Sequence, residues 1–216
     1  MEIEQMEQFD ISTAILCGGR SSRMGQNKAF LEYNNKRFVD RLKTELSGFG
    51  ETVISAAGQG EYDYLGIPVF IDEHENIGPI EGIYQVLKNI KNDYAFICAV
   101  DMPFIKKELV MYMMNFIATD YNCYVIKDED RVQPLCAIYS KKILPVIEKQ
   151  IENGKYRLID ILNNTSTKYI ELKYTCFDKN IVRNVNTPQE YKKLALPIVF
   201  CVSGIKNSGK TSLIVK

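Results

Sequence analysis

The chain has 216 residues, 46% of them hydrophobic, which is enough to bury the core of one domain of ordinary size. Its 27 basic and 27 acidic residues cancel, which excludes the global basic field of a protein that coats nucleic acid or a membrane surface, so any anion binding has to be local. Six cysteines without a CxxC pair, an acidic opening "MEIEQMEQFD" unlike a signal peptide, and no apolar run of spanning length point to a cytoplasmic protein with a loosely ordered segment 1–10.

In chain order, "STAILC" (12–17), "ETVISAA" (51–57), "IPVFID" (67–72), "DYAFICAV" (93–100) and "NCYVIKD" (122–128) have strand length, and several are continuously apolar, as strands covered on both faces are. Between them Phe38, Leu42, Leu46 and Phe49 recur at helical spacing, as do Ile80, Ile83, Leu87 and Ile90. "DEDR" (128–131) reads as a hairpin turn leading into "VQPLCAIYS"; a helix over 141–152, then "TKYIELKY" and the turn-like "NVNTPQE", close a domain spanning 11–195. This alternation predicts an α/β fold: a mostly parallel, Rossmann-like three-layer sheet with a small antiparallel portion.

"LCGGRSSRMGQNK" (16–28) follows the first strand, and in an open α/β sheet that turn is the favoured phosphate site. Gly18 and Gly19 allow bare amides to approach an anion, Arg23 offers a planar fork and Lys28 a movable point charge. The alternative is a Gly-rich surface loop with solvated charges. "AVDMPF" puts Asp101 where a strand ends, and a carboxylate beside a triphosphate is a hard ligand for Mg²⁺. A helix N-cap ahead of "PFIKKELV" is the alternative for Asp101.

With "IDEHENIGPIEGI" (71–83), "AVDMPF" (99–104) and "RNVNTPQEY" (183–191), the loop resembles the LAGG…RMGxxK signature of the nucleotidyltransferases, in particular the molybdenum cofactor guanylyltransferases of the MobA family, over roughly residues 11–195. The resemblance implies a nucleotidyltransferase fold and transfer of GMP from Mg-GTP to the terminal phosphate of molybdenum-bearing molybdopterin, with pyrophosphate released. It implies nucleotide binding by Leu16, Cys17, Gly18, Gly19, Arg23, Lys28, Asp72 and Asp101, catalysis by Lys28, Arg23 and Asp101, and Mg²⁺ on Asp101. Lys155, Arg157, Asn184 and Asn186 are the acceptor-binding candidates. A solvated charge pair and an Asx-type turn, with Thr187 and Pro188 opening a helix, are the respective alternatives. Family members often carry Asp before the loop lysine where this chain has Asn27, which receives no role here; nor does His74, expected at the surface, while Glu73 and Glu75 read as solvated.

The end, "LPIVFCVSGIKNSGKTSLIVK", holds a complete Walker A pattern in Gly204, Gly209, Lys210 and Thr211, followed by only a few residues. Residues 196–216 resemble the opening of a MobB-like P-loop domain, and the resemblance implies such a partner fused in a longer chain. Rival functions are a CTP-dependent molybdopterin enzyme or a sugar-phosphate-activating enzyme of the same fold, and a non-catalytic carrier of GTP or cofactor. The loop reads phosphates and not bases, so it does not separate the first two.

Overall fold

All five residues of the first strand, β1 (Ser12–Leu16), are buried, as expected of a central strand whose apolar run leaves neither face to solvent. The computed structural model describes residues 10–18, 26–118 and 120–195. After β1 come a small hairpin of β2 (Glu32–Tyr33) and β3 (Lys36–Arg37), then α1 (Phe38–Leu46), β4 (Thr52–Ala56), β5 (Val69–Ile71), α2 (Pro79–Asn89), β6 (Tyr94–Ala99) and α3 (Lys107–Met114). The second half contains β7 (Cys123–Asp128), β8 (Arg131–Ser140), α4 (Leu144–Glu152), α5 (Leu158–Asn163), β9 (Thr167–Glu171) and α6 (Pro188–Ala195). Segments 1–9, 19–25, 119 and 196–216 lie outside the described residues. With them go Gly19, Arg23, the expected loose N-terminus and the Walker A residues.

The main sheet has the order β5-β4-β1-β6-β8-β7-β9. β8 runs antiparallel to both β6 and β7, and the other pairings are parallel. The expected mostly parallel sheet with a small antiparallel portion is therefore present. The "DEDR" turn joins β7 to β8 with Asp128 paired to Arg131 and Glu129 at a φ of 53°. The register of β7 on β8 shifts between Val125 and Ile126, opposite the stretch containing Pro134. A proline has no N–H to give a regular ladder, so an irregularity accommodates it.

Alternate residues of the central strands feed two cores. Ile15, Ile54 and Phe96 pack with Phe38, Leu42 and Leu46 of α1 and Leu109 and Met113 of α3, while Ala14, Val53 and Ile97 pack with Ile80, Ile83 and Leu87 of α2 and Ile147 of α4. The helical spacing read from sequence is the buried face of α1 and α2, except that α1 stops at Leu46 and α2 at Asn89, so Phe49 packs from the loop beyond α1 and Ile90 from the cap of α2. α2 lies close on the sheet: a Cβ on Gly82 would stand 2.8 Å from Ser55 Oγ and 3.1 Å from Leu16 Cδ2. Gly82→Ala is therefore expected to destabilise the fold by about 1–3 kcal/mol, the usual cost of overpacking, measured as a lower denaturant midpoint at unchanged slope.

Candidate active site

Parallel strands gather their carboxyl ends at one edge, and β1, β4, β5 and β6 deliver Cys17–Gly18, Ala57, Asp72 and Asp101 there. Beyond β6, Val100 N–H donates to Leu16 O at 3.1 Å and Met102 N–H closes a turn on Ala99 O at 3.1 Å, which presents Asp101 at the rim. The helix that follows starts only at Lys107, with Lys106 at its cap position. Asp101 is therefore not the N-cap that the sequence allowed.

Lys28 reaches this carboxylate from the far side of the loop. It opens a 3-10 turn (Lys28–Phe30) capped by Asn27, whose Oδ1 accepts from Ala29 N–H at 3.0 Å. The Asn27 amide donates to Glu61 Oε2 at 3.0 Å and to the Tyr62 hydroxyl at 3.1 Å, and Phe30 stacks on the Tyr62 ring. This anchoring explains Asn27, since an aspartate here would face Glu61 as a like charge. Lys28 Nζ then donates to Asp101 Oδ2 at 2.8 Å and to Asn186 Oδ1 at 2.6 Å.

Asn186 arrives because its segment is pinned on both sides. Val185 is fully buried and its N–H donates to Asp101 O at 2.8 Å, while Glu190 accepts from the N–H groups of Asn186 and Thr187 at 2.7 and 2.9 Å. Thr187 Oγ1 accepts in return from Glu190 N–H at 3.2 Å, a reciprocal capping box opening α6. The amides of Asn186 and Thr187 hold the Glu190 carboxyl below the usual range. Thr187 and Pro188 thus open α6, as the sequence allowed, and the same segment sets Asn186 against Lys28. Asn184, upstream of Val185, makes no side-chain hydrogen bond among the described residues.

Asp72 follows β5. Its N–H donates to Ala56 O at 3.1 Å, Ser55 Oγ donates to its Oδ1 at 3.3 Å, and its Oδ2 stands 3.4 Å from where a Cβ on Gly18 would be. Burial pushes the Asp72 carboxyl above its ordinary value, partly offset by the Ser55 hydroxyl, with the nearby Glu81 charge pushing the same way as burial. A carboxylate whose folded value is raised binds its proton more tightly in the folded chain, so its ionisation opposes folding at neutral pH, and that cost fades as pH falls through the folded value and is gone below the unfolded one. Asp72→Asn is accordingly expected to raise the Tm at pH 7 and to lose that advantage in acid, read from melting curves across pH.

Leu16 and Cys17 belong to the buried frame. Leu16 O is taken by Val100 and Cys17 N–H by Ser55 O, and burial pushes the Cys17 thiol up to about 12, so it stays protonated. Lys155 and Arg157 are exposed on the α4–α5 turn. Lys141, just before α4, bonds Ile90 O at the end of α2, and Tyr84 in mid-α2 bonds Glu148 in mid-α4. The two helices therefore run antiparallel, and the α4–α5 turn lies at the end of α2 that abuts Asp72.

Three participants carried no weight in the sequence: Ser55, Asn27 and Glu81. Glu81 is 1% exposed and binds the loop after Asp72, including His74 Nδ1 at 2.9 Å, so His74 is paired and only half exposed. A glutamate in the first turn behind "GP" was its one legible signal. Among the described residues no cluster of three or more His, Cys, Asp or Glu side chains is placed to hold a metal, and no helix is long and apolar enough to cross a membrane.

Residues 13–168 match the family described as a MobA-like NTP transferase domain. A Clostridium perfringens protein named probable molybdenum cofactor guanylyltransferase is 41% identical over 190 residues, covering 85% of this chain and 95% of its own length. A protein of the same name from Carboxydothermus hydrogenoformans is 34% identical over 188 residues, covering 86% and 95%. The crystal structure of molybdopterin-guanine dinucleotide biosynthesis protein A from Archaeoglobus fulgidus shares the fold at a TM-score of 0.75 and 24% identity, over 85% of this chain and 96% of that one.

Proposed function

The chain belongs to the MobA-like NTP transferase family, and on that premise we propose that it transfers GMP from GTP to the terminal phosphate of molybdopterin carrying molybdenum, giving the guanine dinucleotide form of the cofactor and pyrophosphate. The observation that carries this reading is the convergence of Asp101 and Asn186 on Lys28 at the carboxyl edge of the sheet. In such a transfer an oxygen of the acceptor phosphate forms a bond to the α-phosphorus while the bond to the bridging oxygen breaks. The protein has to align these atoms and neutralise charge, without a covalent nucleophile.

Lys28 and Arg23 hold triphosphate oxygens in this reading, with the Gly18 and Gly19 amides beside them and Asp72 on the nucleotide at the mouth of the loop. Lys155 and Arg157 offer cations to the acceptor from the α4–α5 turn in the same reading, and Asn184 and Asn186 offer it amide groups. Asp101 Oδ2 and Asn186 Oδ1 already converge on one cation, the Lys28 ammonium, and they are hard oxygen donors of the kind Mg²⁺ takes along with phosphates. These two residues would hold Mg²⁺, which when bound supplies neutralisation of phosphate charge.

Among the described residues the cysteines are unpaired, with Cys17, Cys98, Cys123 and Cys136 buried, which suits a cytoplasmic setting. The Walker A segment near the end of the chain supports a MobB-like P-loop partner fused in a longer protein. The test is pyrophosphate release with Mg²⁺ and molybdopterin-containing acceptor, GTP against CTP. Release that requires GTP supports the proposal; a CTP requirement moves the chain to cytidylyl transfer, and tight nucleotide binding without release makes it a carrier.

A further inference from the structure

A carboxylate taken out of water has to be matched by donors, or its charge is not sustained. Glu81 is 1% exposed in the first turn of α2, just after Gly78, whose φ of 81° swings the chain into the helix. Its Oε1 accepts from the main-chain N–H of Glu73 at 2.8 Å, from that of His74 at 3.2 Å and from Gln85 Nε2 at 2.8 Å, and its Oε2 lies 2.9 Å from His74 Nδ1. A first-turn glutamate ordinarily bonds back to the cap of its own helix. This one spans the whole loop and grips the two peptide groups that follow Asp72.

Asp72 is thus held from two directions. On the strand side, Ala56 O accepts its N–H and Ser55 Oγ donates to its carboxylate. On the helix side, Glu81 fixes the backbone immediately downstream. We propose that Glu81 is a positioning residue for nucleotide binding, acting through Asp72: by clamping the Glu73 and His74 amides from α2 it keeps the Asp72 carboxylate against Gly18 at the mouth of the first loop. This inference rests on the reading of Asp72 as a nucleotide contact. Three donors share Oε1, an arrangement that a charged acceptor sustains best and that an amide oxygen of the same shape partly reproduces.

A double-mutant cycle on the equilibrium binding of GTP with Mg²⁺ to the full chain tests it, with Glu81→Met removing the acceptors at similar length and Glu81→Gln as the conservative variant. Glu81→Met is expected to raise the Kd about 10-fold when Asp72 is present and less than about 2-fold in an Asp72→Asn background, and Glu81→Gln is expected to recover most of the loss. Wild-type chain that does not bind Mg-GTP overturns the proposed function and this inference with it. Wild-type binding with Glu81→Met costing the same factor in both backgrounds, or nothing, overturns the role of Glu81 alone. Should Glu81→Met not fold, amide hydrogen exchange on the wild type and Glu81→Gln decides: slow Glu73 and His74 amides that quicken modestly in Glu81→Gln, in step with a modest rise in the Kd for Mg-GTP, support the clamp, while exchange at open-loop rates in the wild type, or quickening without any change in Kd, overturns it.

Discussion

Lys28→Ala is expected to slow pyrophosphate release about 10²- to 10³-fold, the scale on which a single charge-stabilising group acts in group transfer. The 3-10 turn that carries Lys28 is held by Asn27, Tyr62 and Phe30 rather than by the ammonium, so the variant should keep its fold. The Lys28–Asp101 pair is 18% exposed on each side, and its removal should change the melting temperature far less than the rate. Lys28→Arg should recover little, because the existing geometry asks one nitrogen to serve two oxygens at 2.8 and 2.6 Å, and a planar fork does not present its donors from a single point. Single-turnover kinetics beside a thermal melt check both parts. An equal fall in kcat and in kcat/KM would place the lost interaction in the transition state.

Asp101→Asn should lower the rate by a comparable factor and, at the same time, tighten binding of GTP in the absence of divalent metal. On the proposed reading, the Asp101 carboxylate of the free protein occupies the ammonium that would hold the phosphates, and its own charge repels them. An amide retains the shape and an acceptor oxygen, yet it pairs more weakly with Lys28 and adds no negative charge. Metal-free affinity therefore rises while turnover falls, because an interaction that helps the ground state alone does not help the reaction. Calorimetric titration of GTP into wild type and variant in the presence of chelator, set against turnover with Mg²⁺, measures the two opposite signs. Metal-free affinity unchanged by the substitution would mean that the Lys28–Asp101 pair does not compete with phosphate.

The sequence by itself determined the α/β alternation, because burial on both faces makes a parallel strand read as an unbroken apolar run while helices repeat at their own period. It also singled out Lys28, Asp72 and Asp101, since each lies at a strand end or just past a glycine-rich stretch, and those are local features; the fold brings all three to the carboxyl edge of the sheet. What it could not carry were pairings between distant positions. Lys28 and Asn186 are 158 residues apart, and only the docking of Val185 beneath Asp101 brings them together. The N-cap reading of Asp101 was the weaker local pattern, and the turn closed by Met102 on Ala99, with α3 starting only at Lys107, overrules it. Glu81 was one carboxylate among several in an acidic stretch. Its function as a buried acceptor exists only because α2 folds back over the loop and removes it from water, leaving the Glu73 and His74 amides as its partners.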